Sequence, residues 1–377
     1  MIVYISIYIL VWILALLGLH GDFKREKLVY NVQVAILFAF STFKFETGYD
    51  WPVYKNHYEE WSSLDFGFGF SLAEDAFKYA GLTFDVFWAS IAGFIVMSMG
   101  WLVSKLAGQN RSIVIAIFFS IADLFLIPVF SIVRQTIAVL LVLTAFVLTK
   151  EKRVIWSLLL VFIAALTHLS VLPMIGIVGV CWVFMRSPIL RLIFFSIFSL
   201  LYLAQLDLFR SLVEFGVSVV YPPYFLYLER DTYSASLLYR FMYVGISSAL
   251  FYAVSFSIFL KTDNSNYQWG AHVAAISGLL VPFALYSFPT FASRFLFFTA
   301  FFLVPVVVAL LRFRYPRYFQ LSVSIVAVVM FFSFYRFLSS PFSVPFVPYQ
   351  SIFFTDEKSS TGLERTQELL ELIFSYW

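Results

Sequence analysis

Long apolar segments recur from one end of the chain to the other, and no other feature of the sequence constrains the fold as strongly. A helix needs roughly 20 apolar residues to cross a hydrocarbon core about 30 Å thick. In lipid, only helices and closed barrels satisfy their own backbone polar groups. Of the 377 residues, 62% are hydrophobic and 12% are charged, which is far from the composition of soluble domains. We therefore expect an all-α, polytopic integral membrane protein that forms a single transmembrane domain over 1–377.

Polar breaks between the apolar segments predict where the helices begin and end. We expect twelve membrane helices, with short interfacial helices in the external loops, at 2–19, 28–43, 84–103, 112–130, 132–149, 154–167, 169–185, 189–206, 236–260, 269–288, 293–311 and 319–338. The stretch 154–185 could be one helix or a hairpin that turns at His168, and both interpretations stay open. The first segment has no positive residue before it and no small-residue cleavage site after it, which favours a retained helix over a signal peptide.

Lys and Arg residues fall in alternate loops, and this pattern predicts the orientation in the membrane. Cytoplasmic loops are enriched in these residues, and short basic clusters occur at 22–27, 105–111, 150–153, 186–191, 261 and 312–317. Both termini then face outward, and the external loops 44–83 and 207–235 and the tail 339–377 cap the outer face. Because the basic residues form short, separate clusters, they do not indicate a nucleic-acid partner.

The end of the tail, "GLERTQELLELIFSYW" (362–377), has the pattern of a helix that lies on the membrane surface. Its apolar residues recur at helical spacing and its glutamates fall largely on the opposite face. The apolar positions are Leu369, Leu370, Ile373 and Phe374. Such a helix would cover the rim of an outward-facing site or anchor the end of the chain.

Two arginines break the charge pattern because they lie at the predicted outer face. Arg134 interrupts the apolar run "LIPVFSIVRQTIAVLLVLTAF", and Arg294 lies in "FPTFASRFLFF". Each could be an interfacial side chain that reaches lipid phosphate. Alternatively, the two guanidinium groups bind an anion, with Gln135 as a further donor. Two such exceptions at one membrane depth favour a shared anionic ligand.

The loop after the second helix, "FETGYDWPVYKNHYEEW" (45–61), is polar and also rich in aromatic side chains. Gly48 permits a tight bend, and Asp50 offers a carboxylate at the same interface as the two arginines. The aromatic rings could form the interfacial belt of a membrane protein or stack on sugar rings. The substrate-binding candidates in and near this loop are Lys44, Gly48, Tyr49, Trp51, Tyr54, His57 and Glu74.

Two polar residues inside apolar segments have both a structural and a functional interpretation. His168, in "AALTHLSVLPM", could end a helix or act as an acid–base group near neutral pH. Asp123 lies within a predicted membrane helix, where an unpaired carboxylate is costly. We therefore expect Asp123 to be a structural partner for an arginine.

The sequence carries no signature of a metal or nucleotide site. It has a single cysteine, Cys181, and neither an HExxH motif nor an acidic triplet, so we expect no protein-built metal site. The segment "FGFGF" (66–70) lacks the lysine of a phosphate-binding loop and, on the sequence pattern, its helix start. We expect no cofactor.

Six short motifs share one order along the chain: "FKFETGYDWPVY" (43–54), "EDAF" (74–77), "VRQTIAV" (133–139), "THLSVL" (167–172), "ASRFLFF" (292–298) and "FVPYQSI" (346–352). In this order they resemble the EpsG-like branch of the Wzy-type bacterial polysaccharide polymerases, over nearly the whole chain. Lys44 departs from the pattern, because many relatives carry an arginine there and lysine lacks the planar fork of a guanidinium. The "EDAF" motif lacks the proline that often follows its glutamate.

The resemblance implies a metal-independent glycosyltransferase in the bacterial cytoplasmic (inner) membrane, with an active site that faces the periplasm. Its donor and acceptor would be oligosaccharide repeat units on undecaprenyl pyrophosphate, joined into an O-antigen-type polysaccharide such as that of lipopolysaccharide. Membrane lipid and a chain-length regulator protein would be its other partners. Arg134 and Arg294 would bind the pyrophosphate. The general base would be Asp50 or His168, with Glu74 as the third candidate.

Two other classes of protein handle the same lipid-linked sugars. A lipid-linked oligosaccharide flippase would have its site near the bilayer midplane, between internal repeats. No repeat is visible in the sequence, and the unusual residues gather at one face, which favours chemistry at that face. An O-antigen ligase would use the same donor with a different acceptor.

Overall fold

Helices account for the regular structure of the chain, as the apolar segments predict. The computed structural model describes residues 1–19, 23–60, 66–172, 174–176, 188–204, 237–238, 241–242, 244–245, 289–351 and 364–369. No strand forms within these residues, and the β-type contact among them is an isolated antiparallel bridge between Lys44 and Ser351. The expected all-α class is therefore confirmed for this part of the chain. The predicted helix 269–288, the loop 207–235 and most of 236–260 lie outside the described residues.

The α-helices are numbered in chain order through the described residues. They are α1 Ile2–Leu19, α2 Phe23–Thr42, α3 Trp51–Glu60, α4 Phe68–Tyr79, α5 Phe84–Leu106, α6 Arg111–Ser120, α7 Leu126–Phe130, α8 Val133–Lys150, α9 Val154–Thr167, α10 Pro188–Ala204, α11 Pro289–Arg314 and α12 Phe319–Leu338. Within the described residues, the segments that are long and apolar enough to cross a membrane are Ile2–Leu19, Phe84–Leu106, Val133–Lys150 and Pro316–Leu338. The total of twelve spans stays a prediction.

Three helices have the bounds that the hydropathy pattern predicts. Helices α1, α9 and α12 match 2–19, 154–167 and 319–338 residue for residue. Each is an apolar run between two polar breaks, and helix bounds are predicted best from this hydropathy pattern. The short helices α3 and α4 lie within the predicted external loop 44–83, as expected.

The stretch 154–185 is not one continuous helix. Helix α9 ends at Thr167, and the next residue, His168, is extended, with φ −162° and ψ 116°. A 3₁₀ turn over Leu169–Val171 follows. The hairpin interpretation is therefore favoured at its turn, while residues 177–187 lie outside the described part of the chain.

The prediction of a continuous helix over 112–130 is wrong. Helix α6 ends at Ser120, a 3₁₀ turn covers Ala122–Leu124, and α7 begins two residues later. Pro128 explains part of this break. Proline has no N–H and its ring clashes with the carbonyl four residues earlier, so it is tolerated best in the first turn of a helix. Pro128 has that position in α7.

Asp123 lies in the break between α6 and α7, and its side chain is exposed. No arginine lies within ion-pair distance of Asp123 among the residues that the structure describes. The expected role of Asp123 as a structural partner for an arginine stays a prediction, because several arginine side chains, that of Arg294 among them, lie outside what the structure describes.

The chain divides into two compact units, Met1–Leu172 with Leu311–Trp377 and, separately, Pro173–Leu310. In the first unit, α1 packs on α2, α6 and α12, and α8 packs on α5 and α9. In the second unit, α11 buries Phe297 and Phe301, whose ring centres are 5.3 Å apart. All the contacts described for the candidate site below belong to the first unit.

Helix α5 runs from one end of the first unit to the other. It has 23 residues and is therefore about 34 Å long, close to the thickness of a hydrocarbon core. Basic loops meet at the end where α5 finishes, where Lys105 lies 2.8 Å from Glu151 and Arg111 lies 2.7 Å from Glu26. We call this the basic end. Helix α3 packs at the start of α5 and α4 packs on α9; we call this the α3–α4 end.

Candidate functional site

Gly48 allows the loop before α3 to pack closely against the turn before α8. Its φ of +113° is unfavourable for other residues, and a Cβ atom there would lie 1.8 Å from the carbonyl oxygen of Phe130. Its N–H donates to the carbonyl of Pro345 (3.1 Å). The next N–H, that of Tyr49, donates to Ser131 Oγ (2.9 Å). Glycine is therefore required at this position by close backbone packing.

The C-terminal part of the chain holds the same loop from its other side. Phe45 N–H donates to the carbonyl of Gln350 (2.9 Å). Arg365, only 2% exposed, donates from Nη1 to the Pro348 carbonyl (3.1 Å) and from Nη2 to the side-chain oxygen of Gln350 (2.6 Å). Nη2 also donates to the carbonyl of Glu46. One buried guanidinium thus joins the loop to the tail.

Sequence reasoning missed Arg365, although part of the predicted tail helix is confirmed. Residues 364–369 are helical, Leu369 is buried, and Glu364 and Glu368 are exposed. The signal was available, because Arg365 precedes Leu369 by four residues and so shares its apolar face. Leu370, Ile373 and Phe374 lie outside the described residues.

Lys44 points into the protein. Its Nζ donates to the carbonyl of Val129 (3.0 Å) and lies 3.9 Å from the ring centre of Phe130 and 4.8 Å from that of Trp88. Burial holds the pKa of Lys44 well below its usual range. No carboxylate is within ion-pair range of it in the described part of the chain. The buried amine of Lys44 thus bonds the backbone of α7, and its predicted contact with substrate stays a prediction.

Arg134 is the second residue of α8 and is half-buried at the α3–α4 end. Its Nε donates to the hydroxyl of Tyr54 (3.3 Å). The guanidinium carbon lies 4.2 Å from the ring centre of Phe66 and 5.8 Å from that of Tyr54. Among the described residues, no carboxylate pairs with Arg134.

The surroundings of Arg134 favour an anion. Ile132, which precedes α8, supplies no side-chain cap to its first turn, and a helix N-terminus carries a partial positive charge. The guanidinium therefore adds a full positive charge where the backbone is already positive. Gln135, which is 4% exposed, lies next to it on the same turn. Anions bind readily at such helix ends.

The aromatic residues of α3 pack inside the α3–α4 end. Tyr54 is 4% exposed, and its ring centre is 5.2 Å from Phe66 and 5.1 Å from Trp88. Burial raises the pKa of Tyr54 to about 12, and the neighbouring Arg134 opposes this shift. Trp51, also 4% exposed, packs edge-on against a neighbouring aromatic ring in α5. Both rings thus have structural partners.

His57 and Glu74 form a buried pair between α3 and α4. Nδ1 of His57 lies 3.0 Å and 2.9 Å from the two carboxylate oxygens of Glu74, which is 1% exposed. Lys78, one turn further along α4, lies 3.7 Å from the same carboxylate. The imidazole ring is also 4.1 Å from the ring centre of Phe66. The sequence predicted His57 and Glu74 as separate site residues but not their pairing.

The glycines of "FGFGF" bring the start of α4 against the end of α9. A Cβ atom on Gly67 would lie 3.0 Å from the carbonyl oxygen of Thr167, and one on Gly69 would lie 2.9 Å from its Oγ1. Helix α4 begins within this segment, so the expected lack of a helix start is wrong. His168 follows Thr167, and its Nδ1 accepts a hydrogen bond from Ser170 N–H (3.2 Å). The glycines therefore serve close packing beside His168.

The structure gives the backbone positions of two other predicted catalytic residues, Asp50 and Arg294, but fewer of their contacts. Asp50 is half-buried and directly precedes α3, where its carbonyl accepts from the N–H of Tyr54 (3.0 Å). Arg294 is helical, near the start of α11; its side chain lies outside what the structure describes. The structure thus brings Asp50, His57, Glu74 and Arg134 to one end of the first unit.

Together, the helices and this site define a membrane protein with long apolar spans and a cationic, aromatic-lined site at the start of α8. The model of the EpsG family matches residues 27–351. The chain therefore belongs to the EpsG family, a Wzy-like family of polysaccharide polymerases, as its motifs predicted. The match includes Arg134 and Glu74 and ends before Arg365. No curated protein and no solved structure matches the chain.

Proposed function

We propose that this protein joins oligosaccharide repeat units carried on undecaprenyl pyrophosphate into an O-antigen-type polysaccharide, at the outer face of the bacterial cytoplasmic membrane. Its family supports polysaccharide polymerisation in general. The observation that carries the choice of a pyrophosphate-linked substrate is Arg134. Its guanidinium lies at an uncapped helix N-terminus, and no carboxylate pairs with it in the described residues.

The chemistry of such a transfer requires positive charge at the leaving group. As the bond from the anomeric carbon to the pyrophosphate breaks, the departing oxygen gains negative charge. A guanidinium held in place beforehand stabilises this transition state more than the ground state. The hydrogen bond from Arg134 to Tyr54 and the contact with Phe66 hold it in this way. On the sequence pattern, Arg294 is proposed as a second ligand of the anion.

The position of Arg134 along the helices also supports a lipid-linked substrate. The polyprenyl chain stays in the bilayer, so its pyrophosphate lies at the depth of the headgroups. Arg134 is at one end of α8, a helix that is long enough to span the bilayer. The basic loops gather at the opposite end of the first unit, and basic loops favour the cytoplasm. These observations support our proposal that the site faces outside, with donor, acceptor and membrane lipid as its partners.

A flippase for the same lipid-linked units is the second candidate, because one observation favours it. The interruption between α6 and α7 with the exposed Asp123 resembles the broken helices that form transport sites. An O-antigen ligase would share the donor site. Neither accounts for the family match as directly as a polymerase does.

Purified protein in liposomes that contain only the lipid-linked repeat unit separates these functions. A polymerase produces a ladder of longer lipid-linked chains on a gel. A ligase produces nothing until a second acceptor is added. A flippase moves the unit between leaflets without a change in its size. The absence of a ladder from correctly folded protein would contradict the proposed function.

A further inference from the structure

A polar cavity lies at the basic end of the first unit, far along α5 from the candidate site. It has a volume of about 220 Å³, and its lining residues all belong to the first unit. They come from the end of α1, the first turn of α2, the 3₁₀ turn Gly108–Asn110, the first turn of α6 and the side of the cavity formed by Arg312. We propose that this cavity binds a phosphate group through Arg312. The proposal does not depend on the polymerase function.

Arg312 provides a positive charge that no acidic side chain neutralises in the described part of the chain. Its side chain is half-buried, and Nη1 donates to Asn110 Oδ1 (2.9 Å) and to the carbonyl of Gln109 (3.4 Å). Both acceptors are neutral and hold the guanidinium at the wall of the cavity. A planar guanidinium can form two parallel hydrogen bonds with a phosphate. Arg312 therefore has the charge and the geometry of a phosphate ligand.

The carboxylate of Glu26 also lines the cavity, but its own partners neutralise it. Oε2 accepts from Nε of Arg111 (2.7 Å), and Oε1 accepts from the N–H and the hydroxyl of Ser112 (3.1 Å each). Glu26 thus occupies the positive N-terminus of α6 as well. The end of α1 contributes a partial negative charge of about half a unit, which is smaller than the full charge of Arg312. The balance of the wall is therefore positive.

A second guanidinium group lies against two of the lining residues and has a donor to spare. Arg111 is 6% exposed, is bonded to Glu26 through Nε, and has its guanidinium carbon 4.7 Å from the ring centre of Phe23. No acceptor among the described residues reaches its buried Nη2. Buried polar atoms are nearly always bonded to protein, water or an ion. A phosphate in the cavity would supply an acceptor for Nη2, directly or through a bridging water.

The size of the cavity and the charges around it favour a small anion. Pockets for drug-sized ligands measure about 300–1,000 Å³, so this cavity suits one phosphate group better than a nucleotide or a sugar chain. Lys24, Arg25 and Lys27 are exposed on the same turn of α2 as Glu26. Clusters of one charge sign raise the local concentration of the opposite ion. The first turn of α2 therefore attracts anions towards the cavity.

The position of the cavity allows two sources of the phosphate. Helix α5 is long and apolar enough to span a bilayer, and the turn Gly108–Asn110 follows its end. The cavity therefore lies near the depth of the lipid headgroups. Both a phospholipid headgroup and a soluble phosphate compound offer the chemistry that Arg312 recognises, and the test below distinguishes them.

The test uses the full-length protein in dodecyl maltoside, after removal of copurified lipid and in a buffer without phosphate. One arm adds inorganic phosphate, with sodium chloride at equal ionic strength as its control. The other arm adds dihexanoyl phosphatidylglycerol, with dihexanoylglycerol, which has no phosphate, as its control. A ligand that binds only the folded state raises the melting temperature, so we expect a saturable rise in at least one phosphate arm and none in its control.

The two arms identify the source of the phosphate. A rise with inorganic phosphate assigns a soluble ligand, and a rise with the phospholipid alone assigns a lipid headgroup. Absence of a rise in both arms, or an equal rise with the matching control, would overturn the inference. The ladder assay of the proposed function contains neither comparison, so the two proposals can fail separately.

Substitutions assign the rise to the cavity. Arg312→Gln should lose it, whereas Arg317→Gln, which removes the same charge from an exposed position of the same basic segment, should keep it. An equal rise in both variants would overturn the inference. Gln109→Glu keeps the test decisive if Arg312→Gln folds poorly, because Gln109 is an exposed residue of the cavity wall. Its new carboxylate should move the midpoint of saturation to at least about tenfold more phosphate, and an unchanged midpoint would also overturn the inference.

Discussion

Arg134 and Tyr54 are joined by a hydrogen bond in which Nε of the arginine donates to the tyrosine hydroxyl across 3.3 Å. This contact links α8 to α3, so it connects the cationic group to the loop that the family motif marks. The two terminal nitrogens of the guanidinium take no part in this bond and keep the planar geometry that suits a phosphate. The position of the cation therefore depends on a residue outside its own helix.

Replacement of Arg134 should abolish polymer without loss of folded protein. We expect Arg134→Ala to lower turnover roughly 10²–10³-fold, the usual effect of removing one donor to a developing negative charge. Arg134→Lys should restore little, because lysine lacks the bidentate fork. Arg336→Ala is the matched control, since Arg336 is an exposed arginine at the end of α12. Near-normal ladders from Arg134→Lys at matched protein level would contradict the assignment.

Arg294→Ala tests the part of the proposal that rests on sequence alone. If Arg294 binds the same anion, its loss should raise the KM for donor and lower turnover, as for Arg134→Ala. The double variant should then lose less than the product of the two single effects, because residues that share one ligand are not independent. Fully independent effects in liposome assays would show that the two arginines do not share a ligand.

Tyr54→Phe removes only the hydroxyl that accepts from Arg134. A single hydrogen bond contributes about 1 kcal/mol net, so turnover should fall roughly fivefold while the amount of folded protein stays the same. Tyr58→Phe is the control: Tyr58 is on the same helix, and its hydroxyl donates to the carbonyl of Leu82 (2.8 Å). It should keep its turnover. Equal turnover of both variants would show that the contact with Arg134 has no catalytic effect.

Gly48→Ala should strongly destabilise the folded protein. The added Cβ would lie 1.8 Å from a backbone oxygen, and the alanine would have a φ of +113°. Relief of either the clash or the backbone strain would require the backbone to move. Gly81→Ala is a matched control, because Gly81 also has a positive φ (+68°), but a Cβ atom added there would meet nothing within 4 Å. We expect Gly81→Ala to cost about 1 kcal/mol and Gly48→Ala more than about 4 kcal/mol. Melting temperatures of the two purified variants measure the difference.

Lys44→Met should stabilise the protein at neutral pH. Burial lowers the pKa of Lys44, so the unfolded state binds this proton more readily than the folded state does. The resulting loss of stability is complete below the folded pKa and disappears as pH rises to the ordinary value near 10.4. The gain from Lys44→Met should therefore shrink between pH 7 and pH 10. A gain that is constant across this range, measured by thermal unfolding, would contradict the assigned cause.

Arg365→Ala should loosen the loop before α3. The side chain donates to three acceptors that join the loop to the tail, and buried acceptors that lose their donor are costly. We expect the N–H groups of Phe45 and Gly48 to exchange hydrogen faster in this variant. Arg317→Ala is the control, because Arg317 is exposed. Unchanged exchange at both N–H groups would show that the loop does not depend on Arg365.

Hydropathy predicted most of the helices but not their interruptions. The bounds of α9 and α12 could be predicted because each helix is an apolar run between two polar breaks. That signal lies in residues that are neighbours in the sequence. The break at Ser120 lies inside an apolar run, and Asp123 and Pro128 are the residues of that run that signal it. A prediction from average hydropathy cannot detect such a change in backbone direction.

The residues of the candidate site were easier to predict than their partners. Arg134 was noticed because a charge in an apolar run is rare. The pairing of His57 with Glu74 depends on how α3 and α4 lie against each other, and no pattern along the chain contains that information. The same reason explains why Arg365 was missed as a contact of a loop that lies more than 300 positions earlier.

The loop before α3 contacts residues near the C-terminal end of the chain, which are synthesised last. Tyr49 donates its hydroxyl hydrogen to the carbonyl of Phe342, 293 positions later, and Lys44 forms its bridge with Ser351. A ribosome must therefore complete almost the whole chain before this loop can adopt its folded position. A truncated or partly inserted chain would carry Arg134 in the membrane without the surrounding site, so premature products of translation should be unable to consume the lipid carrier.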